Sequence, residues 1–112
     1  MKTLVAYVDL RICPTSFDSL VFLIKAEMHR RRINADRLHV VYVPDPALPQ
    51  GFRDKRPFFD GFEAEWRFRN ICIPACYLLN ASLTIATGWE QAKKLRGDAV
   101  FPPDWDHQSL KH

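Results

Sequence analysis

Between residues 3 and 43 the apolar period of the chain changes twice, which constrains its fold more than any other feature. "TLVAYVD" (3–9) is a near-continuous apolar run with the β-branched and aromatic character of a buried strand. "SFDSLVFLIKAEMHRRR" (16–32) switches to helical spacing. Phe17, Leu20, Val21, Ile24 and Met28 fall at i, i+3, i+4, i+7 and i+11, which predicts the inner face of one helix. Thr15 or Ser16 suits its N-cap and Asp18 its first turn, while Arg30, Arg31 and Arg32 complement the dipole at its end. "LHVVYV" (38–43) is a second buried strand, closed by Pro44. Strand, helix and strand within about forty residues form a βαβ unit, expected to be parallel and right-handed.

The remainder continues the alternation. "DGFEAEWRFRNICI" (60–73) predicts a second helix with Phe62, Trp66 and the stem of Arg69 facing inward. Pro74 is expected to break it, so that residues 75–79 become a strand or the approach to one. "SLTIAT" (82–87) reads as a short strand. Thr87-Gly88-Trp89-Glu90 reads as a capping box, with Thr87 at the N-cap and Glu90 three residues on, opening a helix that Gly97 ends. "AVFP" (99–102) is the last short strand. The order βαβαβαβ predicts an α/β, Rossmann-like three-layer sandwich with a mostly parallel sheet. One domain is expected over residues 1–105, with a polar tail at 106–112 that is a truncation point if the natural protein runs on.

Composition limits the function classes. With 112 residues, 47% hydrophobic and 26% charged, the chain suits one small globular domain. A net charge of +3 is too mild to argue for nucleic acid. Arg30-Arg31-Arg32 with Lys25 makes a basic helix end, but no recognition motif or aromatic platform accompanies it. The first apolar run stops at Asp9, short of a signal peptide or a membrane span. Three cysteines, without a secretory signal, argue for reduced thiols and a cytoplasmic location.

Ligands of such folds bind beyond the carboxyl ends of the strands. After the first strand that edge carries Asp9, Arg11, Cys13, Thr15 and Ser16. After the second it carries Asp45, Gly51, Phe52, Arg53, Asp54, Lys55 and Arg56. A helix N-terminus there offers free N–H groups to an anion, and Arg11 and Arg53 add forked donors for a phosphate, a carboxylate or sugar hydroxyls. The plainer reading is that Asp9 and Arg11 close a loop and "GFRDKR" is a solvated turn. The stretch from Phe58 to Arg69, rich in aromatics and arginines, reads as core packing or as the surface of a non-catalytic interaction domain.

Cys13 sits where a helix N-terminus and Arg11 lower a thiol pKa. Strand, Cys-Pro-x-Ser, helix, strand, helix, Ile-Pro and two short strands resemble the glutaredoxin and thioredoxin pattern. That resemblance implies a monothiol oxidoreductase with Pro74 facing Cys13. It departs in having Ser16 for the second cysteine and in the proline-rich loop at 44–57. Cys72 and Cys76 would share one face if helical, but Pro74 lies between them, and with no partner at metal spacing they read as structural. His29 and His39 stand alone, and no metal site is expected.

"VDLRICPTSFD", "LHVVYVPDP", "GFRDKR", "EWRFRNICIPACYLL" and "AVFPPDW" together resemble the N-terminal half of bacterial GT-B-type glycosyltransferase-like proteins of surface polysaccharide biosynthesis. That resemblance spans most of residues 4–105. It implies two Rossmann-like halves with the site in the cleft between them. The C-terminal half would hold a nucleotide-sugar, with no cofactor in this half, and the N-terminal half would contact the acceptor. Asp9, Arg11, Gly51, Phe52 and Arg53 fall on its cleft-facing loops. A chain of 112 residues supplies one half only, so a second domain or subunit is implied and transfer by the isolated chain is not expected.

Overall fold

A computed structural model of the protein describes residues 1–10, 17–44, 66–87 and 89–103. Four strands make one sheet: β1 (Thr3–Asp9), β2 (Arg37–Val43), β3 (Ser82–Ile85) and β4 (Ala99–Phe101). Helix α1 (Phe17–Arg32) joins β1 to β2. A π-helical turn (Phe68–Cys72) leads into α2 (Ile73–Leu78) ahead of β3, and α3 (Trp89–Lys94) precedes β4. The strand order is β3-β2-β1-β4, and every pairing is parallel. β1 and β2 match over their whole length, from Thr3 opposite Arg37 to Asp9 opposite Val43. The chain therefore has the Rossmann-like α/β fold that its alternating periods predict.

The two inner strands are apolar at nearly every position because both faces of the sheet are covered. On one face Leu4, Ala6, Val8, Leu38, Val40 and Tyr42 pack against Leu23 and Ala26 of α1 and against Phe68, Cys72 and Cys76. The ring of Tyr42 meets that of Phe68 edge-on at 4.7 Å. On the other face Val5, Tyr7, Val41 and Val43 pack against Ala86 and Ala92. The Tyr7 hydroxyl donates to the carbonyl of Leu95 there, tying the end of the α3 segment to the sheet.

Three local expectations are corrected. The inner face of α1 is not the most apolar stripe. Ser19, Leu23 and Ala26 are buried, whereas Val21, Ile24 and Met28 are 49%, 55% and 57% exposed. Small residues at 19 and 26 let the helix lie close to its neighbours, and the Ser19 hydroxyl accepts a bond from Cys72 at 3.4 Å. Phe22 leans from the side onto Phe101, with ring centroids 5.3 Å apart.

The helix also runs through Pro74. Its turn widens at Phe68–Cys72, where the Ile73 N–H reaches back five residues to the Phe68 carbonyl. Pro74 then falls in the first turn of α2, where a missing N–H costs little. Residues 75–78 are therefore helical, not a strand. The facing also shifts by one or two positions: Arg67 and Phe68 are buried, while Trp66 and Arg69 are exposed. Phe62 lies outside the described residues.

Ahead of helix α3, Gly88 lies outside the described residues, and Glu90 falls in the first turn of the helix. The Thr87 N–H donates to Gln91 Oε1 at 2.6 Å, a side-chain bond across the start of the helix. Gly97 lies beyond the helix end and serves a close approach. A Cβ there would stand 2.7 Å from Val5 Cγ2 and 2.8 Å from the Thr3 carbonyl oxygen. The next residue locks the crossing: the Asp98 N–H donates to the Thr3 carbonyl, and Asp98 Oδ2 accepts from the Thr3 N–H at 2.7 Å.

Candidate functional site

Asp9 is the last residue of β1 and is completely buried. Strand alternation puts it on the Val5–Tyr7 face of the sheet. Its neighbour Leu10 extends the ladder by donating to the Val43 carbonyl at 2.9 Å. A carboxylate removed from water at a strand end persists only with polar partners around it, and such residues cluster where loops are positioned for binding. Asp9 is the one sequence-predicted site residue that the structure describes. Arg11, Thr15, Ser16, Gly51, Phe52 and Arg53 lie outside the described residues, as does Cys13.

Topology nevertheless fixes where those segments leave the sheet. Residues 11–16 depart from Leu10 at the carboxyl end of β1, and residues 45–65 depart after Pro44 at the carboxyl end of β2. From β1 the chain steps outward to β2 and β3, then returns through α3 to place β4 on the far side of β1. The direction of winding reverses between β1 and β4, and a crevice opens outside the carboxyl ends of strands at such a reversal. β4 pairs only as far as Phe101 opposite Ala6, so β1 projects three residues beyond it, Tyr7 to Asp9.

Sequence reasoning looked to the end of β2 for the second wall of this site and missed the end of β4. The buried Pro102 and the exposed Pro103 follow β4 there. The Pro-Pro pair after "AVF" was the available signal, since proline cannot continue a ladder. Arg67 was missed as well. It is only 8% exposed, in the helical run that continues into the π-helical turn and α2. Among the described residues, Asp9 and Arg67 are the buried charged side chains.

No protein-family model, curated protein or solved structure matches this chain.

The remaining polar groups serve the interior. Cys72 and Cys76, one turn apart, both point into the core, as their spacing suggests for a helix. Cys72 donates to Ser19, and Cys76 lies 3.7 Å from the Tyr42 hydroxyl. Burial pushes both thiols and the Tyr42 phenol up from their ordinary pKa values, so all three stay protonated. The antiparallel pair that the thioredoxin resemblance requires over 75–87 is not formed: 73–78 is helical and β3 runs parallel to β2.

His39 does not stand alone. Its Nδ1 lies 2.6 Å from Ser82 Oγ and its Nε2 lies 2.9 Å from Thr84 Oγ1, a polar bridge from β2 to the edge strand. Desolvation lowers its pKa and favours the neutral ring. At the end of α1, Arg30 grips Glu27 through Nε at 2.6 Å and Nη2 at 2.9 Å and donates to the Ala35 carbonyl. The Arg30 bond chiefly holds the Glu27 carboxyl below its usual range. No three His, Cys, Asp or Glu side chains come together among the described residues. None of the described helices is long and apolar enough to cross a membrane.

Proposed function

We propose that this chain is the acceptor-side half, or a fragment, of a glycosyltransferase-like protein of polysaccharide biosynthesis, holding a sugar or an anionic ligand at its strand-end loops. The observation that carries this reading is the reversal of winding between β1 and β4, with the buried Asp9 at the projecting end of β1. In this reading the loop from Leu10 brings Arg11, Thr15 and Ser16 to one side of the ligand. The loop from Pro44 brings Gly51, Phe52 and Arg53 to the other. The two guanidinium forks bind a phosphate or carboxylate with paired N–H bonds, and the hydroxyls of Thr15 and Ser16 complete the polar shell. A nucleotide-sugar belongs to a partner domain or subunit, and the chain alone orients an acceptor without transferring to it.

Amide chemical shifts of the labelled chain, followed during titration with hexose 1-phosphates, hexuronates and neutral oligosaccharides, test this. One charged class is expected to move the Asp9, Leu10 and Val43 amides. Arg11→Ala and Arg53→Ala should each weaken that binding roughly tenfold without changing the melting temperature. A panel that moves no strand-end amide, or shifts indifferent to both substitutions, defeats the reading.

A further inference from the structure

The stripe that α1 turns outward is as regular as the one it buries. Val21, Ile24 and Met28 repeat at intervals of three and four residues, the spacing of a two-helix seam, and all three are about half exposed. α1 lies beside the helix that contains α2, joined to it through Ser19 and Cys72. That second helix leaves Trp66 53%, Tyr77 71% and Leu78 88% exposed. At roughly 150–250 Å² for a large side chain, these six leave about 700 Å² of exposed surface, divided between the two helices.

We propose that this face is a two-fold interface with a second copy of the chain, in which α1 packs antiparallel against its mate. The charges at the two ends of α1 favour this occupant and direction, although Lys25 near the two-fold axis would approach its own mate. α1 carries exposed Asp18 at its start and exposed Arg31 and Arg32 at its end. An antiparallel pair centred between Ile24 and Lys25 sets Val21 over Met28 of the second copy. It also sets Asp18 beside Arg31 and Arg32 of the second copy, twice over, and opposes the two helix dipoles. A parallel pair would align like charges. An anionic bilayer would attract the arginines but repel Asp18. Full burial of these six side chains in both copies would remove about 1,400 Å² in total, at the lower end of the range of stable interfaces. The inference does not rest on the ligand reading, since it uses the helical layer and not the strand ends.

Sedimentation velocity of the whole chain over a range of concentrations is the test. The wild type is expected to be a dimer, and Ile24→Glu should raise its dissociation constant at least ~30-fold. Asp18→Arg should weaken the dimer, and adding Arg32→Asp should restore it. In a Cys13→Ser background, Ile24→Cys should form a disulfide-linked dimer on oxidation, a readout that stands even if Ile24→Glu does not fold. A wild type that stays monomeric at every concentration overturns the proposal. So does a dimer indifferent to Ile24→Glu, an Ile24→Cys chain that does not cross-link, or a monomer that instead co-sediments with phosphatidylserine vesicles.

Discussion

Single residues govern two of the closest fits in this molecule. Gly97 is present because nothing larger passes β1. An added methyl meets both the Val5 side chain and the Thr3 carbonyl, and the latter is backbone that is itself bonded to Asp98. Gly97→Ala should therefore destabilise by about 1–3 kcal/mol, measured as a lower urea midpoint with an unchanged slope. The glycine was visible in the sequence, but its partner strand was not, so it read as a helix terminator. His39 and Glu27 make pH arguments of the same sign in different pH windows. Desolvation lowers the His39 pKa in the fold, so the unfolded chain binds its proton first. Stability is then full above the ordinary imidazole range and falls as pH drops from about 6.5 towards the folded value. Glu27, with its lowered pKa, contributes stability that is lost only below the ordinary carboxylate range. The urea midpoint should accordingly fall between about pH 7.5 and pH 5.5, and His39→Gln should shrink that fall. A midpoint difference that His39→Gln leaves intact would assign the effect elsewhere.

At the scale of elements, two helices end alike. "INAD" closes α1 and "LNAS" closes α2, with Asn34 and Asn80 at φ of 56° and 57°. In each the asparagine N–H bonds back three residues and the following alanine N–H bonds back five: Asn34 to Arg31, Ala35 to Arg30, Asn80 to Tyr77 and Ala81 to Cys76. This is the Schellman geometry, in which the left-handed residue exposes the last carbonyls to donors. Asn80→Gly should hold or raise stability, while Asn80→Val should cost roughly 1–2 kcal/mol, because a β-branched side chain is strained at that angle. Thermal unfolding of the two variants beside the wild type decides it. The repeated Asn-Ala signal was legible in the sequence and went unread, whereas Pro74 was read and misled. The proline argument assumes an ordinary α-turn, and the wide turn at Phe68–Cys72 is fixed by packing that no local rule contains. The alternation of strands and helices was legible because β1 and β2 are buried on both faces. The facing of α1 was not. Two stripes compete on that helix, and the buried one is chosen by small size and by a Ser–Cys bond across 53 residues of sequence.

For the whole molecule, the same contrast separates the fold from the site. Parallel pairing follows from local periods, but strand order decides which loops become neighbours, and that order is a long-range property. Hence Asp9 was picked out from sequence, while the end of β4 beside it was not. The layered build also sets how the molecule opens. Cys72 and Cys76 lie in the core layer between the sheet and the helices, fully buried and protonated. A reagent reaches them only if that layer separates, and the thiolate forms only after it does. In a Cys13→Ser background both should label at rates governed by opening, and those rates should rise with urea well below the unfolding midpoint. Cys72 touches Ser19 of α1 as well as Tyr42 of β2, while Cys76 touches Tyr42, so Cys72 adds a report on the α1 contact. If that layer is a single cooperative unit, both rates depend on urea with one slope, close to that of global unfolding. A shallower slope for Cys72 alone would mean that α1 lifts away while the second helix stays on the sheet. The layer would then be two units, with Ser19 on the boundary between them.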